Sequence, residues 1–298
     1  MPRGRMRSVI GPSPVSLSRR AVLMGTLALG ACGKTGAAKP AASASRPLSL
    51  ADSVAGDWRL PADRGRDAWR HPVESLTFWK LQPGQTVVEF WPGAGWYTDI
   101  LAPFLTATGG KLFAANLEPT DEAGREVVEA FRQRLKAKPS LYRAVEITAF
   151  GPTSGPVAPA GSADLVLFLR NLHNWMAAGI AEKAFHDAFA ALKPGGILGI
   201  EEHRDSPGAV QDALAPEGYV QQAYAIQLAK EAGFALDAIS EINANPKDDH
   251  NHPFGVWTLP PVARTSPRGQ PADPTFDRSA YDAIGESDRM TLRFVKPG

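Results

Sequence analysis

The chain has 298 residues, 44% hydrophobic and 21% charged, with 32 lysines and arginines against 31 acids and a formal net charge of +1. That length allows one large domain or two small ones, and no clustered basic face of the kind nucleic acid requires is visible. Cys32 is the only cysteine, which excludes a disulfide within the chain.

Residues 1–32 carry Arg3, Arg5, Arg7, Arg19 and Arg20 and no acid, so without them 27 bases face 31 acids, a balance of −4. Ser18, Arg19 and Arg20 open SRRAVLM, the paired arginines of a twin-arginine export signal, and an apolar run over 21–31 follows. Eleven residues are too few for a bilayer, which takes about 20. The run ends in LGAC, 29–32, which resembles the box where bacterial lipoproteins are cleaved and acylated at the cysteine. The expectation is an exported, periplasmic protein, anchored to the membrane through lipid on Cys32. Residues 33–50, rich in Ala, Ser, Gly, Lys and Pro, read as a flexible linker.

A domain is expected over 51–298. The spacing predicts a helix over 67–80 after Pro72, a turn at 82–85 and a buried strand over 86–91. A helix over 96–105 follows, then a strand over 111–116. Thr120 is placed to cap a helix that Pro139 stops. Strands over 144–150 and 164–170, a helix over 180–192, a turn at 193–196 and a strand over 197–201 continue the alternation. A helix over 219–232, a strand over 235–241 and a last strand over 291–295 complete it. Strand and helix alternating at this pitch predict an α/β fold, a doubly wound, mostly parallel sheet with helices on both faces. The last strand, coming after the irregular stretch 243–289, is expected to be an antiparallel edge strand. That stretch reads as a lid-like insertion.

In such sheets ligands sit beyond the carboxyl ends of the strands, where the strand order reverses. The first strand runs into Glu89-Phe-Trp91-Pro-Gly93-Ala-Gly95, where glycines let the backbone pass close to a ligand and turn sharply into a helix. Thr98 stands where a dinucleotide site wants its third glycine, and no G-K-[ST] for a triphosphate is present. Leu192-Lys-Pro-Gly-Gly196 precedes a later strand.

These two turns, with RHPVESLTFW, VVEFWPGAGWYTDILAPFL, RNLHNW, EEHR, EINANPKDDHNHPFGVWTLPP and AIGESDRMTLRFVKP, carry a resemblance. From about Asp67 to Pro297 the chain resembles class I S-adenosylmethionine-dependent methyltransferases, a Rossmann-related fold, and looks closest to the exported predicted methyltransferase family. The resemblance implies S-adenosylmethionine as cofactor and methyl transfer to a small-molecule or envelope acceptor. Carried over by position, Glu89, Gly93 and Gly95 match the cofactor turn. Trp91 departs from the pattern's first glycine. Asn116 departs from the acid that ends the second strand and grips the ribose hydroxyls; Glu118 is near enough to substitute. Tyr97, Arg170 and Asn171 complete the expected cofactor contacts.

Methyl transfer needs alignment and, for some acceptors, removal of a proton. His173 is the first candidate base and His203 the second, since imidazole titrates near neutrality; local packing is the alternative for each. Arg204 is a candidate anion clamp. Trp91, Trp96, Tyr97 and Trp175 are expected at the pocket mouth, where aromatic faces would attract a sulfonium. Asp248, Asp249, His250 and His252 have metal-ligand types but no further spaced His or Cys, and no metal is assigned. Asn243, Asn245, Lys247 and Trp257 are candidate acceptor contacts, and Asp288 with Arg289 a candidate ion pair. Two other functions stay open: a non-catalytic ligand-binding envelope lipoprotein on this fold, and a different enzyme on the same sheet.

Overall fold

The computed structural model describes residues 48–298, so the export signal, Cys32 and nearly all of the linker lie outside the described residues. Helix α1 (Leu50–Val54) starts on a capping box in which Ser49 and Asp52 satisfy each other's backbone N–H groups. Short helices α2 (Pro61–Arg64), α3 (Asp67–Arg70) and α4 (Pro72–Phe78) follow. The helix expected after Pro72 is α4, and the part of 67–80 before it forms the separate short helix α3. His71 sits between α3 and α4 in the left-handed region at φ 41°, because a residue before proline is pushed out of the helical well.

Strand β1 (Thr86–Phe90), helix α5 (Thr98–Thr108) and strand β2 (Lys111–Leu117) come next. Helix α6 (Glu122–Ala137) is capped by Asp121, whose carboxylate accepts from the Gly124 N–H at 2.7 Å, and not by Thr120. Helix α7 (Pro139–Tyr142) and strands β3 (Val145–Phe150) and β4 (Ala163–Leu169) lead to helices α8 (Leu172–Ala177) and α9 (Ala181–Ala191). Strand β5 (Leu192–His203) takes in both the expected Lys-Pro-Gly-Gly turn and the polar run Glu201-Glu202-His203. Its pairing with β4 shifts register between Ala163 and Leu165, so the turn bulges out before the ladder resumes at Ile197.

Helix α10 (Gln222–Glu231), strand β6 (Ala235–Ser240), short strand β7 (Pro253–Val256), helix α11 (Ser279–Ile284) and strand β8 (Arg289–Val295) finish the chain. The sheet has seven strands in the order β3-β2-β1-β4-β5-β8-β6. β1 to β5 pair in parallel, and β8 is antiparallel to both β5 and β6. The last strand is antiparallel as expected but it is no edge: it is inserted between β5 and β6, and β6 is the edge. Apolar clusters cover both faces. One joins Phe90, Phe168, Trp175 and Phe185 on the α8–α9–α10 side, and the other joins Trp79, Ile100, Leu101 and Leu105 on the α4–α5 side.

This topology decides what meets at the site. The order reverses between β1 and β4, so the carboxyl ends of β1, β2, β4 and β5 share one rim. An antiparallel β8 brings its own beginning to that rim, with Arg289 opposite His203. The 243–289 stretch packs there too. Asp248 is its hub, accepting from the Tyr219 hydroxyl, the Asp288 and His250 N–H groups and His252 Nε2.

Candidate functional site

Glu89 ends β1 beneath the glycine turn, fully buried, and accepts a 2.7 Å hydrogen bond from the Thr98 hydroxyl. Burial pushes its carboxyl from the ordinary 4.5 up to about 7; the Thr98 bond pulls back and the Asp99 charge pushes further up. Its role is to tie β1 to the first turn of α5. Gly93 (φ 57°) and Gly95 (φ 85°) both need the left-handed region, but they serve different neighbours. A Cβ at Gly93 would meet nothing within 4 Å, so the turn is open there. At Gly95 it would meet Arg134 Nε at 3.3 Å and Phe131, so α6 fills the space a side chain would take there. Arg134 is held in place by Asp99, which also accepts from the Tyr142 hydroxyl at 2.6 Å.

Trp91 lies between these glycines and the strand, itself left-handed at φ 44°. Its N–H donates to Ala115 O at 2.8 Å, and its indole Nε1 donates to Phe150 O at 2.9 Å. The ring therefore reaches from the end of β1 across β2 to the end of β3. Asn116, 2% exposed at the end of β2, accepts from the Leu117 N–H, while its Nδ2 has no partner. Asn171 donates to Trp91 O and Leu169 O, both at 3.1 Å, fastening the loop after β4 to the turn. Glu118 is turned away: its carboxylate accepts from the N–H and hydroxyl of Thr153, which holds it below the usual carboxylate range.

The sequence-expected set thus divides. Trp91, Gly93, Asn116 and Asn171 gather at the open side of the turn, with Glu89 underneath. Tyr97 and Arg170 belong to a second cluster built on Glu201, which is wholly buried. Glu201 accepts from the Tyr97 hydroxyl at 2.9 Å, from Arg170 Nη1 at 3.0 Å, and pairs with Arg289 Nη1 at 3.1 Å. Burial and the Glu201 charge hold the Tyr97 phenol well above its ordinary range. Arg289 and Arg70 also pair with Glu286, at 2.9 and 2.8 Å.

Beside this cluster lies a cavity of about 200 Å³ lined by Arg70, Arg170, His173, Asn174, His203, Trp257, the 259–262 run, Glu286 and Ser287. Both expected bases face it. His173 donates Nδ1–H to Glu202 Oε1 at 2.9 Å, which leaves Nε2 for the cavity. Glu202 is buried and fixed by the Leu172 and His203 N–H groups at 2.5 and 2.8 Å. A carboxylate, an imidazole and an open cavity in line make a proton-accepting dyad. His203 differs. Burial, then the charges of His173, Arg170 and Arg289, push its pKa well below 6.5, so proton acceptance there is unfavourable and His173 is the better placed candidate of the two. Ser287 lies 2.5 Å from His203 Nδ1.

Other expectations are revised. Arg204 is not free to clamp an anion: it pairs with Asp288 at 2.8 Å and with Glu241. Asp288 and Arg289 consequently pair elsewhere and not with each other. The four aromatics form no shared mouth. Trp175 is buried against Phe90 and Phe168, while Trp96 lies on the other face between the guanidiniums of Arg59 and Arg70. Among the lid residues Trp257 reaches the cavity. Asn243 donates to the Ser75 and Thr291 hydroxyls and Asn245 to Ile284 O and Glu286 O, so both amides are spent inside the fold. Ligand atoms of His173, Glu202 and His203 lie within 4.8 Å of one another, as do those of Asp248, Asp249 and His252. In both groups the buried carboxylate already serves several protein donors.

Arg70, Glu286 and Ser287 were missed by sequence reasoning. Their signal was weak: an arginine before His-Pro, and two polar residues before a strand whose direction the sequence leaves open.

The residues at the turn fit an adenosyl cofactor in two respects: open space over Gly93, and a buried, unpartnered amide at Asn116 where a ribose would lie. No protein-family profile matches the chain, and no curated protein resembles it in sequence. Solved structures do resemble it in shape. The [4+2]-cyclase SpnF is 17% identical, covers 83% of this chain and 92% of its own, with a TM-score of 0.51. A chain from the complex of the Haloferax volcanii Trm112 methyltransferase activator is 16% identical, with 80% and 93% covered and a TM-score of 0.50. A SAM-dependent methyltransferase from Aquifex aeolicus is 18% identical over 60% of this chain and 87% of its own, with a TM-score of 0.47. The fold is that of class I methyltransferases. One of these neighbours is named a cyclase, so the fold by itself does not fix the reaction.

Proposed function

We propose that this chain is an S-adenosylmethionine-dependent methyltransferase whose acceptor enters the cavity at His173. The observation that carries the reading is the Glu202–His173 dyad, placed on a cavity at the strand ends next to an open glycine turn. Gly93, Asn116 and Asn171 would hold the cofactor, which supplies a methyl group on a positively charged sulfur. His173 Nε2 takes the proton from the acceptor's nucleophilic atom. Glu202 keeps the imidazole in the tautomer that can accept it and stabilises the resulting cation at Nδ1. The 253–262 segment screens the cavity from water.

Calorimetric titration with S-adenosylhomocysteine tests this. Binding is expected, and a Gly93→Arg variant, whose long side chain would occupy the open space, is expected to abolish it. Absence of heat at millimolar ligand would sink the reading.

A second reading has one observation in its favour. The Trp91 indole lies over the rim that a cofactor would cross, which suits a non-catalytic ligand-binding protein on this fold. If Trp91→Gly creates cofactor binding that the parent lacks, that reading gains.

We also propose export through the twin-arginine signal and a lipid anchor at Cys32, with the domain in the periplasm and an acceptor that is a small molecule or an envelope component. The support is the sequence SRRAVLM and LGAC. Cys32→Ser should move the protein from the membrane to the soluble fraction; unchanged partitioning removes the anchor.

A further inference from the structure

The guanidinium of Arg70 is 3% exposed, yet it lines the cavity. Its Nε is spent on Glu286, at 2.8 and 3.1 Å from the two carboxylate oxygens. Neither terminal nitrogen donates a hydrogen bond to any described residue, and neither is sealed off from open space. Arg170, across the same cavity, spends Nη1 on Glu201 and leaves Nε and Nη2 without a bond among the described residues. Two planar forks with spare donors therefore share one small cavity. Donors that no protein group fills are available to a ligand, and a carboxylate takes two of them at once with matched geometry.

Of the charged groups that line the cavity itself, Arg70 and Arg170 are two guanidiniums against one carboxylate, Glu286, while Arg289 pairs with Glu201 and Arg66 with Asp63 behind it. Two guanidiniums with spare donors against one lining carboxylate favour an anionic occupant over a cation. The volume, about 200 Å³, is below the roughly 300–1,000 Å³ of pockets for drug-sized ligands, so the occupant is small.

We infer that this cavity binds a small organic carboxylate, its carboxylate on the free nitrogens of Arg70 and Arg170 and the rest of the molecule between His173 and Trp257. The inference rests on the reading of this cavity as the acceptor's place. It adds the acceptor's class, and it is separable from methyl transfer because binding is measured without any cofactor. Trp257 supplies the signal, being part of the lining.

The experiment titrates the full chain with acetate, lactate and benzoate, each against its amide, and reads tryptophan fluorescence and thermal shift at low ionic strength. At least one acid is expected to bind with its amide at least tenfold weaker. Arg70→Met and Arg170→Gln should each weaken the acid tenfold or more and leave the amide unchanged. Arg70→Met keeps Glu286 paired with Arg66 and Arg289; circular dichroism checks that it folds, and Arg170→Gln gives the second reading if it does not. Equal affinity for acid and amide, unchanged binding in both variants, binding of inorganic phosphate in preference to every acid, or no binding by any acid at tens of millimolar would each overturn the inference. If carboxylates bind and S-adenosylhomocysteine does not, the cavity assignment stands while the methyltransferase reading falls.

Discussion

Replacing Glu89 by glutamine should stabilise the protein at alkaline pH. In the folded chain the buried carboxyl titrates at about 7, whereas its ordinary value is 4.5. Below about pH 4.5 both folded and unfolded forms hold the proton, and the group contributes no difference. Between that point and about pH 7 the unfolded chain has released its proton and the folded chain has not, so stability falls as pH rises. Above about 7 the loss is complete. At about 1.4 kcal/mol for each tenfold change in proton affinity, the full penalty is about 3 kcal/mol. Glutamine carries no charge and keeps an acceptor for the Thr98 hydroxyl. Urea unfolding at about pH 5 and about pH 8.5 measures it: the glutamine variant should match or trail the parent by up to about 1 kcal/mol at the lower pH and gain about 2–3 kcal/mol on it at the higher. In a domain of this size that gain corresponds to roughly 5–10 °C in Tm. A difference between the two proteins that is the same at both pH values would refute the reasoning, because it would mean that the carboxyl is not held protonated by burial.

Three further outcomes follow from the site's construction. Glu202→Ala leaves the buried Leu172 and His203 N–H groups without their acceptor, so denaturant unfolding should show a loss of about 2–5 kcal/mol; a loss under about 1 kcal/mol would mean that water replaces the carboxylate. Arg134→Met strips Asp99, which is almost wholly buried, of its cation, and should cost about 2–4 kcal/mol by the same measurement. Gly95→Ala should destabilise by about 1–2 kcal/mol and Gly93→Ala by about 1 kcal/mol or less, because both strain a left-handed residue but only the first meets a neighbour, at 3.3 Å. Equal costs would show that Arg134 moves aside freely.

Hydrophobic periodicity made the sheet legible. Every strand expected in the sequence exists within a few residues, since β1, β4 and β5 are buried on both faces and read as apolar runs. Boundaries moved where a single residue decided them, as with Asp121 at the start of α6 and Pro72 at the break after α3. Pattern alone could not say where β8 inserts, because pairing order depends on contacts across nearly a hundred residues of chain. The same limit applied to the site. His173 and His203 were legible as polar residues at strand ends, and both reach one cavity. Glu201, Glu202, Arg204 and Asp288 read as a solvated run and a loop pair, yet Glu201, Arg204 and Asp288 find partners through the antiparallel crossing, and Glu202 finds His173 after β4. Arg70 comes from another helix altogether, so no local spacing announced it. The glycine turn was recognisable, but which glycine faces open space follows from α6 packing against Gly95.

The position of β8 sets an order of events during folding. It is made after β6, yet β6 reaches the sheet only through it, with no direct pairing to β5. A nascent chain can therefore assemble β1 to β5 and the glycine turn early, while β6 has no strand to pair with until β8 is made. When β8 slots in, it closes the sheet and in the same stroke delivers Glu286, Ser287 and Arg289 to the cavity. Completion of the sheet and completion of the cavity are thus linked, and a chain truncated before Glu286 would keep the glycine turn but lack the Glu286 and Ser287 wall of the cavity.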